Sequence, residues 1–258
     1  GAATLYAIFA CCRRFGSRRS AWLAMFLFLA NHVVLWELTI AYIDLAYTFL
    51  FLAGFVFMLR ALDDQSRRRT WLLLSGLCCG ILAGTKLTGI VGAGAIGALL
   101  LPGSVARGRH GLWPEVRMVL AWFILPVFAL LVPWLVKTAW FTGNPVYPFL
   151  YGWFGGPDWS PALSSEFAAW HKSIGMGRGF IDYLLLPLRV ILMGDDDYPH
   201  FAGHICRSWA LLIPMAVVFG RKEPLVRRCL AVAGFYFVVW SVSSQQIRFL
   251  VPILPLLG

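Results

Sequence analysis

The sequence predicts an all-α fold, a polytopic helical membrane protein, and three observations predict it. Of its 258 residues 60% are hydrophobic and only 13% are charged, with a mean hydropathy of +0.74; soluble domains carry about 25% charge. Apolar runs recur along the whole chain, and a bilayer crossing by a helix needs about 20 such residues. Most of the Lys and Arg gather in the short segments between those runs.

The expected spans, about nine, are residues 1–12, 20–36, 39–59, 71–84, 87–101, 118–140, 208–220, 229–242 and 249 to the end. The pair 71–84 and 87–101 is short for full crossings, so it reads as weakly tilted spans or as a partly re-entrant hairpin. Both ends of the chain lie inside apolar runs, and residues 1–258 are expected to be one transmembrane domain from a longer protein. Four inter-span loops are basic: Arg13, Arg14, Arg18 and Arg19; Arg60, Arg67, Arg68 and Arg69; Arg107, Arg109 and Arg117; Arg221, Lys222, Arg227 and Arg228. Strict alternation of the spans puts all four on one side, which the positive-inside rule makes cytoplasmic. The net charge of +10 then reflects topology, and no nucleic-acid partner is expected. The excess of Arg (18) over Lys (4) fits a bacterial source, hence a bacterial inner membrane.

The opposite, outer face carries residues 141–207, rich in Trp, Tyr, Phe, Gly and Pro. Flexible linkers lack large aromatics, so this loop is expected to be ordered. Within it, residues 180–193 read as an interfacial amphipathic helix, broken at Pro187.

Charges at the rim of a membrane are costly and point to function. Glu37 and Asp44, seven residues apart, share a face if their helix is continuous; two carboxylates so placed can bind a divalent cation, orient a hydroxyl or act as a base. Lys86 lies in GTKLTG at the start of the 87–101 helix, where the ammonium and the helix N-terminus both favour an anion; the alternative is a snorkelling anchor. In SSQQIRFLVP, Arg248 can fork onto a phosphate, while Gln245 and Gln246 can meet sugar hydroxyls. GDDDYPHFAGH, residues 194–204, sets three Asp beside His200 and His204, a possible cation site or a solvated acidic turn; Pro199 and Gly203 oppose a helix that would pair the histidines. TGNPVYPFLYGWFGG, with Tyr147, is a turn-rich aromatic loop whose rings can stack on sugars or sit among lipid headgroups. The six Cys show no zinc spacing and read as packing residues. The chain lacks a Walker A, GxSxG, HExxH or GxGxxG motif, so ATP-driven and serine-hydrolase readings have no support.

Four stretches in order, AYIDLAYTFLFLAGFVFMLRAL, WLLLSGLCCGILAGTKLTGIVG, TGNPVYPFLYGWFGG and SSQQIRFLVPILPLL, resemble the GT-C superfamily of membrane glycosyltransferases, especially bacterial proteins similar to dolichyl-phosphate-mannose protein mannosyltransferases and aminoarabinose transferases. The resemblance implies a GT-C-like fold and a polyprenyl-phosphate-linked sugar donor. It also implies transfer to a lipid, glycan or protein acceptor at the outer face, within membrane lipids. It assigns the main catalytic carboxylate to a loop upstream of Gly1, and leaves Asp44 and Glu37 as auxiliary acids. Lys86 and Arg248 become candidates for the donor phosphate; Tyr42, Gln245, Gln246, Tyr147 and His200 become candidates for substrate contact. The resemblance names no cofactor and leaves a divalent cation possible. A lipid-glycan flippase would want charges near mid-membrane and repeat symmetry, neither of which the sequence has. A polysaccharide polymerase or ligase would share a basic outer groove, whereas this outer loop is acid-rich.

Overall fold

The computed structural model describes residues 1–101 and 112–257; Arg107 and Arg109 of the third basic loop lie outside them. Among the described residues the chain is helical with no strand. It divides into two compact units, Gly1–Leu52 with Lys172–Gly258, and Ala53–His171.

The first unit starts with α1 (Ala2–Phe15) and α2 (Arg18–Leu29). Their junction is only Gly16 and Ser17, because Ser17 and Ser20 form a reciprocal capping box that starts α2 at once. The expected 20–36 span is not one helix. It is α2 followed by α3 (His32–Thr39), bent by 76°. The cause is Asn31, fully buried at the break. Its Nδ2 donates to the Leu27 and Phe28 carbonyls at 2.7 and 3.0 Å, closing the end of α2. Its Oδ1 accepts from the Cys206 amide at 3.0 Å and the Trp209 indole at 2.9 Å. One side chain therefore meets the orphan groups of a helix end and ties it to a distant segment.

α4 (Asp44–Asp63) follows after an extended stretch at Ile40. That gap corrects the expectation that Glu37 and Asp44 share a helical face. Glu37 belongs to the last turn of α3, whereas Asp44 opens α4, where a negative charge suits the helix N-terminus.

The rest of the first unit holds α11 (Phe180–Leu192), α12 (Trp209–Gly220), α13 (Pro224–Val242), a 3-10 segment Ile247–Ile253 and α14 (Leu254–Leu257). Pro187 does not break α11. The Asp182 carboxylate accepts from the Gly179 amide at 2.8 Å and from Arg189 at 2.7 Å, bracing the turns on either side of the proline. The Arg189 hydrogen bond, then the Gly179 amide, hold the Asp182 carboxyl below its usual range. The core gathers Val34, Phe51, Phe201, Trp209, Trp240 and Ile247, all buried.

The second unit holds the rest of α4, then α5 (Arg68–Thr85) and α6 (Thr88–Gly97). α7 (Leu112–Val119) runs through a π turn at Leu120–Ile124 into α8 (Leu125–Thr142). Short helices α9 (Tyr151–Phe154) and α10 (Pro161–Ser173) close it, the unit boundary falling near the end of α10. α5 packs on the π turn and α8 through Gly76 and Gly80. A Cβ at Gly76 would lie 2.6 Å from the Phe123 carbonyl oxygen, and one at Gly80 would lie 3.0 Å from the Pro126 carbonyl. This is the small-xxx-small geometry by which membrane helices approach closely.

Among the described residues three helices are long and apolar enough to cross a membrane, Asp44–Asp63, Trp113–Thr142 and Pro224–Val242, or four if the bent α2–α3 pair is one span. Only 22% of the apolar window of Trp113–Thr142 is buried inside the protein, so most of that helix presents apolar side chains outward. Trp140 and Phe141 end it fully exposed, the aromatic placement expected at a bilayer interface.

Candidate functional site

Three of the expected site residues of the first unit come together. Tyr42 sits in the extended link between α3 and α4, its ring meeting Trp36 edge-on at 5.5 Å. The Arg248 guanidinium lies 4.9 Å from the centre of the Tyr42 ring. Arg248 Nε donates to Gln246 Oε1 at 2.8 Å, and the Gln246 carbonyl accepts from the Trp240 indole at 2.8 Å. The structure thus brings together Tyr42, Gln246 and Arg248, and it fixes the guanidinium plane from two directions.

Asp44, two residues beyond Tyr42, is 5% exposed and Glu37 only 2%. The Thr48 hydroxyl donates to the Asp44 carbonyl at 2.7 Å, and the Tyr236 hydroxyl donates to that of Tyr47 at 3.3 Å. The first turns of α4 are therefore a buried polar patch in an otherwise apolar helix.

Gln245 and Gln246, the two amides expected to meet sugar hydroxyls, are both buried. Gln245 Nε2 donates to the Ser241 carbonyl at 2.8 Å, and the Gln246 amide oxygen is taken by Arg248. These bonds tie the segment that carries Arg248 to the end of α13 and to the guanidinium itself.

A residue that sequence reasoning missed completes this corner. Arg178 donates to the Ser241 and Ser243 carbonyls at 3.2 and 2.8 Å, and to the Ile174 carbonyl at 3.4 Å. It caps the end of α13 with a cation, where the helix dipole favours one. Nothing in its local sequence signals this, because its partners lie far along the chain.

Lys86 belongs to the second unit. It caps α5 with extended backbone, and its carbonyl accepts from the Gly89 amide at 2.7 Å, which starts α6. Gly89 is required here, since a Cβ would run into the Leu82 and Ala83 backbone. The break between α5 and α6 falls at Lys86 and Leu87, with Lys86 half-buried at the head of α6.

Tyr147 is a brace within its own loop. Its hydroxyl donates to the Pro157 carbonyl at 2.6 Å, and its ring meets Trp159 at 6.3 Å. The loop is organised by buried Asn144, which bonds the Phe149 and Gly155 carbonyls and the Val146 amide.

In the 194–204 segment, His200 ends a single 3-10 turn, Tyr198–His200. The helix that would pair it with His204 is absent. His204 instead stacks on His32, with ring centres 4.1 Å apart and planes within 10°, and its Nδ1 lies 3.7 Å from Asp196 Oδ1. His32 was not expected; its signal was a polar Asn-His pair inside an apolar run.

An apolar cavity of about 210 Å³ lies between α11, α12, α13 and the C-terminal segment, lined by Val190, Trp209, Phe237, Leu250 and Leu254.

Comparison with known proteins supplies the family. A family model described as dolichyl-phosphate-mannose-protein mannosyltransferase matches residues 1–144, more than half of the chain. The matched part includes Glu37, Tyr42, Asp44 and Lys86 and stops before Tyr147, His200 and Arg248. No curated protein and no solved structure matches. The chain is a multi-pass helical membrane protein, and it belongs to the dolichyl-phosphate-mannose-protein mannosyltransferase family.

Proposed function

We propose that this protein transfers a sugar, mannose or a close relative, from a polyprenyl-phosphate carrier to a lipid, glycan or protein acceptor. The transfer takes place at the outer face of a bacterial inner membrane. The family match over residues 1–144 carries this reading.

Leaving-group chemistry assigns the roles. Transfer releases a lipid phosphate, so a cation must meet the charge that develops on it. Arg248 suits this: Tyr42 and Gln246 hold its guanidinium, so forking onto a phosphate requires little further ordering. Leu250, on the same 3-10 segment, lines the apolar cavity, a seat for part of the isoprenoid. Asp44 serves as an auxiliary acid that orients a hydroxyl, and Glu37 supports it. Lys86, in the other unit, is proposed separately as a phosphate-binding cation, an ammonium at the head of α6. His200 and the Tyr147 ring are proposed as acceptor contacts.

The test is sugar transfer from a radiolabelled polyprenyl-phosphate-mannose donor by protein expressed from its complete gene, purified in detergent. Arg248→Ala should lower kcat by about 10²-fold, the usual loss of one transition-state donor. Arg248→Lys should fail to restore it, because an ammonium neither forks nor stacks as a guanidinium does. Asp44→Asn should lower kcat at least tenfold. Full activity in Arg248→Ala would remove that residue from the donor site. Flipping of the donor lipid without transfer by the wild type would replace the transferase reading with transport.

A further inference from the structure

His32, Asp196 and His204 come from two distant parts of the chain, and one ligand atom from each lies within 4.8 Å of the other two. We propose that these three residues form a binding site for a divalent transition-metal ion of the zinc class, distinct from the sugar-transfer groups.

The donor set selects the metal. Two imidazoles and one carboxylate suit zinc and its neighbours, while magnesium and calcium prefer all-oxygen shells. Three protein ligands leave one position of a tetrahedral ion for water. Ligand atoms around such an ion sit about 3.3 Å apart, given Zn–N bonds near 2.0 Å. The 3.7 Å between His204 Nδ1 and Asp196 Oδ1 is already close to that. The His32 and His204 rings lie side by side, centres 4.1 Å apart and planes within 10°, which brings their nitrogens to one side of the cluster.

The backbone on each side of the cluster is tied down. The Val33 amide donates to the His204 carbonyl at 3.3 Å, and Asn31 holds Cys206 and Trp209. The loop that presents Asp196 is closed by Gly203 N to Asp195 O at 2.6 Å, Ala202 N to Asp197 O at 3.0 Å and Asp195 N to His200 O at 2.9 Å. Asp195 turns its own carboxylate to the Asp196 amide at 2.7 Å, which leaves Asp196 to face the histidines. The site is built before the ion arrives, so binding orders little more of the chain. A bound ion would staple the start of α3 to this loop, a few residues upstream of the segment that carries Tyr42.

The test uses tag-free protein purified in detergent, stripped with chelator and titrated with Co²⁺, then with Zn²⁺. The expected result is one equivalent of Co²⁺ with the visible absorption of a four-coordinate ion, displaced by Zn²⁺. Zn²⁺ should raise the thermal midpoint, and Mg²⁺ and Ca²⁺ should not. His32→Ala and His204→Ala should each weaken binding at least tenfold, Asp196→Asn less, and His200→Ala should leave it unchanged. Each variant's midpoint without metal should match the wild type, which separates ligand loss from misfolding. If a histidine variant fails to fold, the wild-type titration decides alone. No uptake by folded wild type, or uptake that persists in the His32→Ala/His204→Ala double variant, overturns the proposal. None of these readouts requires sugar transfer.

Discussion

The two compact units are held together by different means. In Ala53–His171 the central contact is backbone against backbone, Gly76 and Gly80 of α5 letting the π turn and α8 come within reach. In the unit made from both ends of the chain, polar side chains make the long-range ties: Asn31 to Cys206 and Trp209, Arg178 to Ser241 and Ser243, Arg248 to the Tyr42 ring. The difference follows from solvent. Between lipid-facing helices there is no hydrophobic gain from meeting, so close packing of small residues must serve. Where bends and loops expose backbone groups, each must find a partner, and a buried Asn or Arg supplies several at once.

The sharpest way to break the polar half is Asn31→Ala. It strands the Trp209 indole, the Cys206 amide and the end of α2, and an orphaned buried donor costs about 1–3 kcal/mol. Its thermal midpoint in detergent should fall the furthest of any variant considered for stability. In the glycine half, Gly76→Ala sets a Cβ 2.6 Å from the Phe123 carbonyl and should cost about 1–3 kcal/mol, as overpacking does. Gly94→Ala in α6 is the matched control: a Cβ there meets nothing within 4 Å. It should therefore stabilise by about 0.5–1 kcal/mol through helix propensity. Equal effects at Gly76 and Gly94 would show that packing against the π turn does not matter.

The smallest expected effect concerns Asp64, which turns the chain from α4 into α5. Hydrogen bonds from the Ser66 hydroxyl and the Trp71 indole, then from the Arg67 and Ser66 amides, pull its carboxyl from 3.8 to about 2. A depressed pKa stabilises above the unfolded value and loses that contribution as pH falls through the folded one. The gap in thermal midpoint between wild type and Asp64→Asn should therefore hold steady above pH 4 and close between pH 4 and 2. A gap that widens on acidification would contradict this origin.

Much of the helical content was legible because apolar runs of the right length have few other solutions. The breaks were harder. Asn31 and His32 fell inside one expected span, yet Asn31 turns the chain by satisfying groups on a segment far downstream. Pro187 looked like a breaker, and an ion pair across it, Asp182 to Arg189, keeps the helix whole. Arg68 was counted as a loop charge, but it is buried and forks onto Glu115. The glycines of SGLCCG were visible as a pattern, but only their partner helix reveals their use. Site residues followed the same division: Tyr42 and Arg248 were each suspect for their chemistry, and only the fold could show one stacked on the other.

The π turn at Leu120–Ile124 carries a consequence for length as well as shape. A π turn holds one residue more than the α-helix around it, and one residue is worth roughly 100° of rotation about the helix axis. The wider turn absorbs that residue, so removing one from this stretch would restore plain α geometry and leave Trp140, Phe141 and the Asn144 loop at nearly the same heading relative to α7. The same deletion a turn later, in plain α geometry, would swing them through most of a third of a circle. The π turn is therefore the place in this helix where a related chain can change its length by one without redirecting its aromatic loop.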